Sequence, residues 1–133
     1  MKKTLTALLG ALLLAGCAQH PTEPESDQAY RVEWIGKRPL VGRSHVSLTF
    51  DGQGRAFGNA GCNHWFASYQ IDGEQLSFGQ PGSTRRMCAP ALMEQEQRFF
   101  QALGEVQRWE ITDKGELRLL SADSRVLRMW PED

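Results

Sequence analysis

The chain has 133 residues, 41% of them hydrophobic, and 15 Lys and Arg face 16 Asp and Glu for a formal charge of −1. That length suits one hydrophobic core and leaves no room for a second domain of ordinary size. The even charge balance argues against a nucleic-acid partner, which calls for a basic surface.

Lys2 and Lys3 open the chain, and Leu5 through Ala15 form an apolar run of signal-peptide length. A spanning helix would need roughly 20 apolar residues. The run closes on Leu14-Ala15-Gly16-Cys17, and small residues leading into a cysteine resemble the lipobox of bacterial lipoproteins. The resemblance implies a signal peptide over residues 1–16, cleavage before Cys17, and acylation (palmitate or similar) of Cys17. A thiol suits this role because its thiolate is a strong nucleophile, and stable anchoring takes more than one acyl chain. Ala18, not Asp, follows Cys17. By the sorting pattern of Gram-negative lipoproteins, that implies an outer-membrane anchor and a domain facing the periplasm. Loss of Lys2 and Lys3 with the signal leaves 13 basic residues against 16 acidic ones, a formal −3. Electrostatic attachment to the membrane is therefore not expected, and the lipid supplies the anchor. Residues 17–29 contain two prolines and three acids with no large apolar side chain after Cys17. Such a stretch reads as a flexible tether, with the domain over residues 30–133.

Within the domain, strands are expected at Arg31 to Ile35, Val46 to Phe50, Arg55 to Phe57, Trp65 to Ile71 and Gln75 to Phe78. Asp51-Gly52-Gln53-Gly54 and Asp72-Gly73 supply hairpin turns between them. Pro90 to Leu103 contains no Gly and no β-branched residue, so it is expected to be helical, with Pro90 at its first position and Gly104 just past its end. Leu92, Phe99 and Leu103 mark its apolar face, while Glu94, Glu96 and Arg98 read as its solvated face. Further strands are expected at Val106 to Thr112, Glu116 to Leu120 and Val126 to Trp130. Trp34, Trp65, Trp109 and Trp130 read as packing residues. The fold class is mainly β: a small antiparallel β-barrel or strongly curled sheet with one inserted amphipathic α-helix.

The most specific stretch is Gly58-Asn59-Ala60-Gly61-Cys62-Asn63, followed by Tyr69, Leu76 and then Thr84-Arg85-Arg86-Met87-Cys88 ahead of the helix. Taken in order with the closing strands at Trp109, Leu117, Leu119 and Leu127, these residues resemble the META domain (HslJ-like) family over Tyr30 to Trp130. The family's second element spaces Met and Cys by one residue, whereas Met87 and Cys88 are adjacent. Gly58 and Gly61 are expected to allow a sharp turn, Asn63 to bond its own neighbouring backbone, and Met87 to pack beneath the start of the helix. With Cys17 lipidated, Cys62 and Cys88 remain as an even pair in an exported chain, and a disulfide is expected. Two free thiols, or a metal site using Cys62, His64, Cys88 and His45, are the alternatives.

No nucleophile elbow, His-Glu-x-x-His element or phosphate-cradling loop is present, so no catalytic residue, cofactor or metal is expected. Arg85 and Arg86, an adjacent basic pair just ahead of the helix, are either solvated or a partner contact. Family members are linked to heat shock, antibiotic tolerance or motility, which implies a role without a shared molecular activity. The expected function is non-enzymatic: an envelope lipoprotein that supports outer-membrane maintenance or stress tolerance by binding an envelope protein or amphiphilic ligand. The alternatives are a small-barrel carrier of an apolar ligand and a periplasmic inhibitor or chaperone.

Overall fold

The computed structural model describes residues 16–17 and 21–133. The expected signal peptide therefore lies outside the described residues except for Gly16, as do residues 18–20 of the expected tether. Ten strands and one helix follow in chain order: β1 (Ala29–Ile35), β2 (Arg38–Pro39), β3 (Ser47–Phe50), β4 (Arg55–Asn59), β5 (His64–Asp72), β6 (Gln75–Phe78), β7 (Gly82–Ser83), α1 (Pro90–Glu105), β8 (Arg108–Ile111), β9 (Leu117–Leu120) and β10 (Arg125–Pro131). Eight of them pair antiparallel in the order β1-β3-β4-β5-β6-β8-β9-β10, and β10 returns to β1. Of the two expected forms, a closed barrel is the one adopted. Closure leaves no full-length edge open to pairing with another chain.

The two-residue strands β2 and β7 were not legible in the sequence. Each completes an edge that a longer strand leaves open. β6 pairs with Tyr69 to Asp72 of β5, and β7 takes Trp65 and Phe66 further down. β3 pairs with Ala29 to Arg31 of β1, and β2 takes Trp34 and Ile35.

Alternation decides what fills the barrel. Trp65, Ala67 and Tyr69 of β5 point inward and are buried, while His64, Phe66 and Ser68 between them point out. Val46, Leu48 and Phe50 are likewise buried, and the Phe50 ring meets Tyr69 edge-on at 4.9 Å. In β10 the alternation breaks at Val126 and Leu127, both buried, because a register shift between Arg125 and Leu127 admits an extra residue.

Because the strands alternate in direction, their connections divide between two ends. The turns at 51–54, 73–74 and 112–116 lie at one end, together with the start of β1. The connections 36–46, 60–63, 79–107 and 121–124 lie at the other, and the third of these carries α1. The helix closes this end, with Phe99 edge-on to Trp65 at 5.3 Å and Ala102 and Leu103 buried behind it.

Two helix expectations are corrected. Gly104 lies inside α1, which runs on to Glu105 and stops as Val106 turns extended straight toward β8. The strand expected from Val106 accordingly begins at Arg108. Glu96 is not solvated but 2% exposed, and Gln95 beside it is fully buried. Gln95 accepts from the Val41 N–H at 2.6 Å and donates to the Ser44 hydroxyl at 2.9 Å, pinning the 36–46 connection to the helix.

Segment 21–28 joins the other end. The Asp27 N–H donates to the Phe50 carbonyl at 2.7 Å, Pro24 is buried, and Pro21 and Thr22 lie beside Gly73, Glu74 and Trp109 to Ile111.

On the outer wall, Glu116 is buried between Arg118 at 2.6 Å and Arg128 at 3.0 Å, and the Arg128 guanidinium lies over the Trp34 ring at 5.7 Å. Hydrogen bonds from Arg128, then Arg118, hold the Glu116 carboxyl below its usual value of 4.5 against the opposing effect of burial. A carboxyl depressed in the folded state adds stability above its unfolded value, and that contribution is lost as the pH falls through the folded value. In thermal melts, Glu116→Gln is expected to lower the midpoint by a few degrees at pH 7, with the gap to the parent closing as the pH drops below 4.5.

Gly58 has an ordinary φ and is required for a different reason from the one expected: a Cβ there would overlap the Ser47 backbone carbonyl of β3. Gly58→Ala is expected to cost about 3 kcal/mol in denaturant unfolding. Gly73→Ala, with φ +57° but open space around it, is expected to cost about 1 kcal/mol.

Candidate functional site

The stretch that carries the family resemblance comes together at the helix end. Between β4 and β5 the chain reverses within a few residues. The Ala60 N–H donates to the Asn63 carbonyl at 2.7 Å, and Gly61 takes φ +102°, a conformation that L side chains rarely adopt. The turn places Cys62 and Asn63 opposite the segment that leads from β7 to α1. There the Cys62 and Cys88 sulfurs are bonded, with 6.0 Å between the Cα atoms. The expected disulfide is present, and the free-thiol and metal alternatives are set aside because each sulfur's valence goes to the other.

Asn63 does more than the sequence suggested. Its side chain does not bond its own neighbourhood but reaches across the site. Its Nδ2 donates to Glu96 Oε2 at 3.0 Å and to the Arg86 carbonyl at 3.3 Å. Its Oδ1 accepts from the Thr84 hydroxyl at 3.0 Å and the Arg86 N–H at 2.6 Å. Its backbone N–H donates to Glu96 Oε1 at 2.9 Å. A side-chain amide offers two donors and two acceptor sites, and all four are used. Asn63 is 3% exposed, and its two bonds to Glu96 form away from water, where an unmade partner is costly, while those to Thr84 and Arg86 are partly buried.

The network fixes a backbone whose side chains face solvent. Thr84 continues the β7 edge, donating its N–H to the His64 carbonyl at 3.1 Å. Arg85 and Arg86 follow, both exposed. Met87 does not pack beneath the start of the helix as expected but is 87% exposed. The backbone bonds to Asn63 and the bridge at Cys88 turn the side chains between them outward.

The other expected candidates lie apart from this loop. Cys17 is exposed and unpaired. The His45 ring nitrogens face Glu132 at 2.8 Å and Asn59 at 3.2 Å, and His64 is exposed on the outer wall. Glu96 and Asn63 were missed as site residues. A Glu three residues before buried Phe99 was the available signal, because it shares the helix face of that ring. A separate cleft of about 680 Å³ opens on the outer wall where β6 and β8 share a single paired position, Gln75 with Arg108. Its lining is mixed, with Gln70, Asp72, Ser77 and Gln107 beside that pair and Ile71, Leu76 and Val106 among them.

Loss of the loop's supports should be measurable as stability. Reduction of the disulfide, whose cysteines are 26 positions apart, is expected to cost about 3.5 kcal/mol by the loop-entropy relation. Asn63→Ala is expected to cost about 3 kcal/mol in equilibrium unfolding, since it leaves the buried Glu96 Oε2 without its donor and breaks the bonds to Thr84 and Arg86.

Comparison with known proteins follows this geometry. Two solved structures are similar to the chain. One, described as the NMR structure of the protein from Burkholderia xenovorans, has a TM-score of 0.69 at 21% identity and covers 99% of each chain. The other, described as the NMR structure of the protein, has a TM-score of 0.60 at 21% identity and covers 77% of this chain and 87% of its own. At that identity the likeness is one of fold. No curated protein matches. The family model described as META domain matches residues 23–133, and the chain belongs to the META domain family.

Proposed function

We propose that the protein is a non-enzymatic, lipid-anchored component of the bacterial envelope that works by binding a partner through the loop around Arg85 and Arg86. The observation that carries this reading is the contrast within that loop. A buried amide with every hydrogen-bonding site used and a disulfide hold its backbone, while Arg85, Arg86 and Met87 stand exposed. Surface side chains that only solvate a protein do not need a fixed backbone. A recognition surface gains from one, because less conformational freedom is lost on binding.

The anchor rests on the lipobox at Leu14 to Cys17 and on the residue after it, Ala18, which favours the outer membrane over the inner. A role in envelope maintenance or stress tolerance fits that address. Two observations support the non-enzymatic reading. His45 bonds Glu132 and Asn59, not a hydroxyl or thiol that it could activate. The core of the barrel is filled with Leu48, Phe50, Leu76, Leu119, Leu127 and Met129, each at most 1% exposed. That filling also weighs against an apolar-ligand carrier, whose cargo would need the same space.

Envelope fractionation tests the anchor. The parent chain is expected in the outer-membrane fraction and to incorporate a palmitate label, and Cys17→Ser is expected in the soluble periplasmic fraction without label. Equal membrane association of the two proteins would refute the anchor.

A further inference from the structure

We propose that the helix end of the barrel is a docking surface for an acidic protein partner, presented away from the membrane that holds the lipid. The proposal rests on the anchored reading above and adds to it the orientation, the surface and the chemistry of the partner.

The charges of the domain are divided by end. At the tether end stand Glu23, Glu25, Asp27, Asp51, Asp72, Glu74 and Asp113, against Lys114 in these connections and the exposed Arg55 that opens β4 beside the 51–54 turn. At the helix end the connections 36–46, 79–89 and 121–124 expose Lys37, Arg38, Arg43, Arg85 and Arg86 against the single acid Asp123. Glu94 and Glu105 are the exposed acids of α1. The net charge of the mature chain conceals this division. The 36–46 connection meets the site directly, because Gln95 holds it and also lies against Gly61, one residue from Cys62.

The basic end also carries apolar surface. Met87 is 87% exposed, and the outer wall leading to it bears Phe66 at 51% and Phe57 at 46%, directly paired across β4 and β5. Gly82 lies under the Phe66 ring, where a Cβ would meet it at 2.6 Å. From Gly52 to Met93 the acids are Asp72 and Glu74, both at the opposite end. Planar guanidinium groups suit carboxylates in paired hydrogen bonds, and an unbranched thioether adapts to varied apolar contacts. The combination fits a protein segment bearing Asp or Glu beside apolar side chains.

Chain length argues against the anchoring bilayer as the occupant. The segment is held at the tether end from Pro24 onward, and the seven steps from Cys17 to Pro24 span at most about 25 Å. A nine-residue strand such as β5 covers about 30 Å, or roughly 23 Å along the axis of a tilted barrel. The helix layer adds about 10 Å. The basic end therefore stands roughly 30 Å beyond the point where the tether leaves, and a tether of at most about 25 Å is too short for the domain to stand inverted with that end flat on the bilayer. Neighbouring copies on that membrane would face the same way, which sets basic ends beside basic ends.

A photo-crosslinking side chain placed at position 87 of the full chain in cells, with position 114 as the control for the other end, tests this orientation. Position 87 is expected to give a protein adduct whose crosslinked segment is rich in Asp and Glu, and position 114 to give phospholipid adducts. Arg85→Glu/Arg86→Glu is expected to lower the adduct at 87 at least tenfold with an unchanged melting midpoint. Arg43→Glu, on the separate connection, is expected to lower it about threefold, which a local distortion of the 83–89 loop would not do. Phospholipid adducts at 87, a partner segment without acids, an adduct indifferent to charge reversal, or no adduct at all would each overturn the proposal. If only the anchor fails, lipid adducts vanish at 114 while the protein adduct at 87 remains.

Discussion

The amide of Asn63 and the carboxylate of Glu96 set much of what the helix end can be. A carboxylate that is 2% exposed needs donors, and those it has come from one residue, through the backbone and the side chain of Asn63. Asn63 in turn uses its remaining capacity on Thr84 and both backbone groups of Arg86. Three segments far apart in sequence, the β4–β5 turn, the loop after β7 and the second turn of α1, are tied through this pair. Removal of either side chain of this pair leaves a buried polar group of the other unpaired, and that cost gives the arrangement its definition. The disulfide works in parallel by limiting the unfolded chain, and Phe99 against Trp65 seals the barrel above it.

Up-and-down connectivity converts that local order into a molecule with two unlike ends. Short turns with Gly at positive φ serve one end, and Asp and Glu gather there beside the incoming segment 21–28. The two long connections, 36–46 and 79–107, serve the other end beside the turns at 60–63 and 121–124, and the bridge and Gln95 hold them there. Arg85, Arg86 and Met87 are exposed because the backbone between them is occupied, not because the loop lacks structure. Belonging to the META domain family identifies the scaffold, and the chemistry available to a partner lies in what this chain places on it.

Much of the scaffold was legible in the sequence, and the misses share a cause. The alternation of Val46, Leu48 and Phe50, and of Trp65, Ala67 and Tyr69, follows from a period of two that survives in any half-buried strand. The disulfide partners were legible from the number of cysteines left after Cys17. The errors fell where a residue's partner is distant. Glu96 read as solvent-facing because a carboxylate in an amphipathic helix is usually outside, and its donor lies 33 positions away. Gly58 was read for its freedom of rotation, whereas the Ser47 carbonyl on the next strand is what excludes a side chain. Met87 read as packing because it is apolar, and β2 and β7 were too short to show a period.

By itself, then, the sequence determined the strand rhythm, the helix, the turns and the cysteine pair, since each depends on neighbours within a few residues or on simple parity. The tertiary structure decided closure, through the pairing of β10 with β1. It also decided the burial of Glu96 and Asn63 and the separation of acidic from basic ends. These depend on which strand lies beside which and on which connections share an end, and no local pattern encodes either. A net charge near zero told nothing of where the charges stand, because direction along the barrel exists only once the strands alternate around it.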